Sequence, residues 1–240
     1  MLKIDLHLHT VASGHAQSTV LEYIEQAKKL HMDVIGISDH GPNNAETLTT
    51  EVYFRTLDRI PNIVDGIRVL KGIEANVINE SGDIDVSDKL IERLDFVMAN
   101  IHENAGYLDQ GKEGNTETMI RLIRSGKIKI ITHPFATKSY DIDVRKVAEE
   151  ACENNVLLEI NLSYIKGRKL QPFTIPNLKI IIDVVRENGK KIILGSDSHN
   201  IWELGDDSSL VPIKEEIGLT NDMIINNYPE ELFEFLGVEK

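Results

Sequence analysis

The sequence predicts an α/β protein: a parallel sheet with helices outside it, either open and doubly wound or closed as a (β/α) barrel. Short apolar, β-branched runs recur seven times along the chain, and stretches with helical periodicity separate them. The 240 residues suit a single domain over 1–240, a size that α/β barrels reach as one unit. No G-x-G-x-x-G follows the first strand and no Walker A pattern occurs, so nucleotide-binding open sheets lose support. No repeat, low-complexity stretch or Pro/Gly/Ser-rich linker divides the chain.

The expected strands are 3–8, 33–38, 68–73, 95–101, 127–132, 156–162 and 190–195. The first helix opens at Thr19, whose pairing with Glu22 reads as a capping box, and lays Leu21, Ile24, Ala27 and Leu30 along one face. Further helices are expected near 51–60, 86–93, 116–125, 144–154 and 176–188. Pro176 suits a first turn, and Gly189 suits the position just past a helix end. After His199 the chain reads as short helices, the last opened by Pro229.

Composition narrows the function. The formal net charge of −13 repels polyanions, which disfavours nucleic acid and membrane surfaces as partners but leaves room for a local site for a small anion. Cys152 is the lone cysteine, so no intrachain disulfide forms and nothing argues for secretion. Lys3 and Asp5 interrupt the N-terminus where a signal peptide would be apolar, and no run approaches the ~20 apolar residues of a membrane span. The simplest expectation is a soluble cytoplasmic protein.

The histidines carry the functional signal through their positions. His7 and His9 close the first strand in "KIDLHLHT", and His15 follows in its loop. His40 closes the second in "SDH", Glu74 the third in "GIE", His102 the fourth in "NIHE" and His133 the fifth in "THP". Asp197 and His199 close the seventh in "GSDSH", while His31 alone sits in a helix tail. Carboxyl ends of barrel strands converge on one face, where such folds place their active sites. Strict alternation would put Asp5, His7 and His9 on one face, aimed at the mouth. Ile4, Leu6 and Leu8 would then pack under the helices.

One histidine at a strand end is ordinarily a satisfied polar residue, and an H-x-H pair adds little to that. Correlated placement at six of seven strands points instead to metal. Clustered imidazolium charges would repel and unpaired polar groups would be costly, whereas a divalent ion uses neutral imidazole and carboxylate as ligands. Nitrogen-rich ligation without thiolate suits Zn, Mn or Fe rather than Mg or Ca. Nine candidate ligands exceed one ion and suffice for three if a carboxylate bridges.

With these motifs in order, the sequence resembles the PHP (polymerase and histidinol phosphatase) family over essentially the whole chain, and most closely its YcdX-like phosphatase subgroup. The resemblance implies a distorted (β/α)7 TIM-like barrel, a trinuclear centre of divalent metal ions (usually Zn, with Mn or Fe as alternatives) and phosphoesterase activity. By position it implies that His7, His9, Glu74 and Asp197 hold a first ion. Glu74 would bridge to a second, shared with His102 and His133, and His15, His40 and His199 would hold a third. None of the nine positions departs from the family pattern. Some relatives assemble as homo-oligomers.

The expected reaction is hydrolysis of a small-molecule phosphomonoester by an activated water, without a protein nucleophile, with Glu74 and Asp197 at its centre. Asp39 and Asp5 are candidates to orient histidine N–H groups. Lys166, Arg168 and Lys169 in "YIKGRK" are candidates for the substrate phosphate, against the plainer reading of a solvated loop. The Gly-containing stretch 103–115 is a candidate lid. Alternatives are a histidinol-phosphate phosphatase, a metal-dependent nuclease, which the acidic charge disfavours, and an amidohydrolase-type hydrolase. The last typically has eight barrel strands and another ligand at the fourth. A non-catalytic scaffold fits least, because no candidate ligand is missing.

Overall fold

The computed structural model describes residues 1–167 and 170–239. Seven parallel strands follow one another in chain order: β1 (Ile4–Leu8), β2 (Val34–Ile37), β4 (Ile67–Asn76), β5 (Phe96–Asn100), β6 (Ile130–Ile131), β7 (Leu157–Asn161) and β8 (Ile193–Gly195). All seven coincide with expected strands. An additional short strand, β3 (Ile63–Val64), pairs antiparallel with the start of β4. Its hairpin turns at Asp65 and Gly66, with φ of 51° and 86°. Two positive φ values mark the primed turn that an Asp-Gly pair favours, a signal the sequence reading passed over.

The first and last strands meet at their carboxyl ends. Leu8 bridges Ser198, and the His9 amide donates to the Ser198 carbonyl at 2.8 Å. The sheet is therefore a nearly closed, distorted (β/α)7 barrel, the closed one of the two arrangements open at the sequence level. Helices α1 (Val20–Lys29), α2 (Glu51–Thr56), α3 (Asp88–Ile91), α4 (Gly111–Arg124), α5 (Val144–Glu153) and α6 (Thr174–Glu187) alternate with the strands. The last helix, α7 (Pro229–Leu236), has Pro229 in its first turn and buries Leu232 and Leu236.

The capping box at Thr19 and Glu22 is formed. The buried stripe of α1 is Tyr23, Ile24 and Ala27, however, and Leu21 is 71% exposed. Tyr23 is the better inward residue because its hydroxyl lies 2.9 Å and 3.0 Å from the carbonyls of His9 and Ser198, at the barrel's closure. Helix α4 starts five residues before its expected position. Its opening turns are polar, and Asn115 and Thr118 are buried against the Tyr107 hydroxyl rather than in solvent.

Ile4, Leu6, Val34, Leu70, Phe96, Met98, Ile130, Leu157 and Ile193 form an inner core with Leu232 and Leu236 of α7. A larger apolar layer, including Leu8, Ile35, Ile37 and Ile73, packs with the helices. Phe96 sets a local requirement for glycine. A Cβ on Gly36 or Gly72 would lie 2.8 Å or 2.3 Å from the Phe96 ring.

The alternation expected for β1 fails midway. Ile4 pairs with Val34 and Asp5 with Ile35, but Leu8 pairs with Ile37, so three residues of β1 are set against two of β2. This is a β-bulge. Ile4 and Leu6 belong to the inner core and Leu8 to the outer layer, so the bulge turns His7 inward together with His9 and leaves Asp5 outside. Gly36 lies opposite, where a Cβ would come within 2.9 Å of the Leu6 Cα.

Candidate metal centre

The bulge places two imidazoles side by side. Their Nε2 atoms lie 3.1 Å apart, and each is 3.4 Å from Glu74 Oε2. Asp197 Oδ1 lies 3.2 Å from His9 Nε2 and 3.6 Å from His7 Nε2. Glu74 turns its other oxygen the opposite way, and Oε1 lies 3.1 Å from His102 Nε2 and 3.2 Å from His133 Nε2. One buried carboxylate therefore faces two histidine pairs. Glu74 sits within β4 rather than past its end, because that strand runs on to Asn76.

His40 Nδ1 lies 2.9 Å from Glu74 Oε2 yet lacks hydrogen-bonding geometry, leaving a buried nitrogen without a hydrogen-bond partner. His15 and His199 approach with Nε2 atoms 2.8 Å apart, and Glu46 Oε2 is 3.3 Å from His15 Nδ1. Three groups have potential ligand atoms within 4.8 Å of one another: His7, His9 and Asp197; Glu74, His102 and His133; and His9, His40 and His199. All nine expected ligands thus meet in one mouth, with His15 outermost.

The donor set fits divalent ions. Two imidazole nitrogens at tetrahedral angles on a zinc ion would stand ~3.4 Å apart for bonds of ~2.1 Å. The close pairs here stand at 2.8, 3.1 and 3.4 Å. Two lone pairs or two N–H groups at such distances repel, and a shared cation removes the conflict. The orphaned His40 nitrogen points to the same conclusion.

Charge shapes the site further. Burial pushes His9 well below the ordinary imidazole range, and His40 adds to the effect. Burial acts in the same direction on His102 and, with His199 beside it, on His15. Neutral imidazole is the form that binds metal. His7 differs: burial disfavours its charge, but Glu159, Glu74 and Asp197 outweigh burial and raise it well above the usual range. Against their own desolvation, Glu74 and Asp197 are held well below the normal carboxylate range by the surrounding histidines, His7 foremost.

A supporting layer fixes the rings. Glu159 on β7 is fully buried, with Oε1 2.6 Å from His7 Nδ1, and its Oε2 accepts from the His133 amide at 2.9 Å. It supplies the contribution of the one strand from which sequence reading drew no ligand. The signal was a charged residue inside "VLLEIN". Ser13 Oγ lies 3.1 Å from His9 Nδ1 and donates to Asp39 at 2.7 Å. Asn76 Oδ1 accepts from His102 Nδ1 at 2.9 Å. His133 and Asp197 have φ of 33° and 53°, a left-handed conformation that costs on the order of 1 kcal/mol or more outside glycine and clusters at functional sites.

Not every expected residue reaches the site. Asp39 is buried and accepts from Thr10, Ser13 and Tyr53, so it acts on His9 through Ser13 and touches no imidazole. Asp5 binds the backbone amides of His7, Ser196 and Gly205 instead of a ring nitrogen, because the bulge separates it from His7. Lys166 extends to Asp206 at 3.0 Å and does not line the cavity. Arg168 and Lys169 lie outside the described residues. The mouth opens into a cavity of about 610 Å³ whose lining includes Lys138, Tyr140, Phe173 and Tyr164, the last stacked on His133, none singled out from sequence. Of the 103–115 stretch, Glu103 and Asn104 line this cavity, whereas residues from Gly111 on belong to α4.

The sequence pattern of the PHP domain matches residues 5–163, two-thirds of the chain. The chain belongs to the PHP domain family. Solved structures agree on the fold. Histidinol phosphate phosphatase from Lactococcus lactis, determined with zinc, L-histidinol and phosphate, is similar at 16% identity and a TM-score of 0.58, covering 90% of this chain and 94% of that one. A histidinol phosphatase assigned in Listeria monocytogenes gives 15% identity and a TM-score of 0.59 over 86% and 98%. A chain of archaeal ribonuclease P, determined with mature tRNA, gives 13% identity and 0.56 over 97% and 87%. Among the described residues of this PHP chain, no helix is long and apolar enough to cross a membrane.

Proposed function

We propose that this PHP chain is a metal-dependent phosphoesterase acting on a small phosphomonoester, with the activity carried by a single domain over 1–240. The observation that carries this reading is Glu74. Its two oxygens face separate histidine pairs, the arrangement a bridging carboxylate needs. His7, His9, Glu74 and Asp197 would hold one divalent ion, and Glu74, His102 and His133 a second. His40 and His199, with His15 at the rim, would hold a third. Zinc suits this nitrogen-rich set best, with Mn or Fe as alternatives. The chain's similarity to a phosphatase determined with zinc and phosphate supports the choice. The YcdX-like phosphatases remain the subgroup whose motifs this chain resembles most.

Such ions supply Lewis acidity toward a phosphate oxygen and a water acidic enough to react near neutral pH. The chain's own residues then do three things. Glu159 holds His7 with Nδ1 protonated and Nε2 free to ligate. Ser13, backed by Asp39, fixes His9 in the same way. Glu74 and Asp197 stay ionised throughout the neutral range and so remain ligands. No side-chain nucleophile is required, and the lone thiol, Cys152, is buried in α5 outside the mouth.

The test is hydrolysis of an aryl phosphate by purified protein before and after chelation, then with Zn²⁺ or Mn²⁺ restored. Single-stranded DNA and histidinol phosphate are assayed beside it. Chelator-sensitive, metal-restored turnover of the phosphomonoester supports the reading. Folded, metal-loaded protein that leaves every phosphomonoester intact refutes it, and cleavage of DNA alone would favour a nuclease.

A further inference from the structure

The cavity in front of the metal-ligand cluster carries four carboxylates. Glu46 and Glu103 stand on its rim, with Glu74 and Asp197 at its floor. Among the described residues, one cation lines it, Lys138. Lys166, expected to meet the substrate, is instead paired with Asp206. Lys138 makes no ion pair or hydrogen bond among the described residues. Other cations of the chain are also unpaired, but Lys138 alone among the described ones lines the cavity, where it is available to a ligand.

The backbone around it is anchored. Lys138 lies five residues past His133 on the β6–α5 loop. Asn177 of α6 donates to the Phe135 carbonyl at 3.0 Å and to Thr137 Oγ1 at 3.3 Å. On the other side of Lys138, Ser139 Oγ donates to Glu103. Thr137 and Ser139 are thus tied to two different elements, which holds the stem between them at the cavity wall. The free end can swing toward the floor, as a four-carbon stem with a compact ammonium permits.

We propose that Lys138 is the substrate-binding cation of this site and that it takes a non-bridging oxygen of the phosphate being transferred. The inference rests on the phosphoesterase reading above. A phosphate dianion entering this mouth passes Glu46 and Glu103, whose charges oppose it. Lys138 offsets that repulsion and adds a charge-assisted hydrogen bond outside the ligand cluster. Because the contact is exposed and made alike to substrate and inorganic phosphate, it acts on binding more than on turnover.

The experiment compares wild type, Lys138→Met and Lys138→Arg, each loaded with the same metal. Inorganic phosphate binding is measured by calorimetry, aryl phosphate kinetics in parallel, and metal content by mass spectrometry. Lys138→Met is expected to weaken phosphate binding and raise KM by about tenfold, with kcat within about threefold and metal content unchanged. Lys138→Arg should recover most of the affinity. Wild-type KM should rise with salt more steeply than that of Lys138→Met. Phosphate affinity within twofold of wild type in Lys138→Met overturns the assignment, as does a loss of bound metal that accounts for the change. If wild type binds phosphate through Lys138 but hydrolyses no phosphomonoester, the phosphoesterase reading fails and the anion site stands.

Discussion

Replacing Glu159 with glutamine changes one buried atom and should disturb two ligands at once. Glu159 accepts from His7 Nδ1 at 2.6 Å through one oxygen and from the His133 amide at 2.9 Å through the other. Glutamine has one acceptor oxygen and one NH2 group, so whichever way it turns, a donor faces a donor. An unpaired buried donor costs about 1–3 kcal/mol. The side chain has little room to withdraw, because its Oε1 occupies the space where a Gly195 Cβ would be, 2.1 Å away. With the amide toward His7, the ring loses the acceptor that fixes its tautomer. With the amide toward His133, the left-handed backbone at φ 33° loses its anchor. Loss of such support typically weakens metal affinity about 10- to 100-fold, equivalent to about 1.4–2.7 kcal/mol. The assay is titration of metal against a competing chelator, with thermal unfolding of the metal-free protein measured beside it. Both quantities should fall in Glu159→Gln. Metal affinity within twofold of wild type, with an unchanged metal-free Tm, would refute the reasoning.

Three further outcomes follow from the packing. Gly72→Ala places a methyl group 2.3 Å from the Phe96 ring and should destabilise the barrel by about 1–3 kcal/mol in urea unfolding. Adding Phe96→Leu to that variant should restore part of the loss. His31 follows α1 with φ of 52°, so His31→Gly should raise Tm slightly, by the equivalent of about 0.5–1 kcal/mol. Hydrogen bonds from Arg124 hold the Glu150 carboxyl below its usual range, against partial burial. A depressed folded-state value contributes stability above the unfolded value of about 4 and loses it as pH falls through the folded one. Glu150→Gln should therefore cost up to about 1 kcal/mol at pH 7, and the gap to wild type should close at acid pH.

The arrangement of the site was legible where chemistry and strand ends coincide. His7, His9, His40, His102, His133, Asp197 and His199 each stand at or just past an apolar run, and a barrel topology suffices to bring them together. What stayed hidden depends on neighbours in space. The bulge in β1 exists because Leu8 pairs with Ile37 rather than with Ser38, a register that β1 alone does not encode. Strict alternation therefore assigned Asp5 to the wrong face. Glu159 reads as one charge in an apolar strand until its contact with His7 is known. Asp39 was expected at an imidazole and is held instead by Thr10, Ser13 and Tyr53. Leu21 satisfied the helical period, but Tyr23 reaches the carbonyls at the barrel's closure. Lys166 stood on the expected rim, and its partner Asp206, forty residues later, drew it away from the cavity.

The central claim is that the histidines gathered at the barrel mouth are metal ligands. The most direct measurement is metal content per chain, by mass spectrometry, of protein purified without chelator and equilibrated with excess Zn²⁺. The predicted result is three equivalents in wild type, one for each ion proposed at the mouth, and a drop of one in His15→Ala, whose side chain belongs to the outermost position alone. Folded wild-type protein that retains no zinc after desalting would contradict the account.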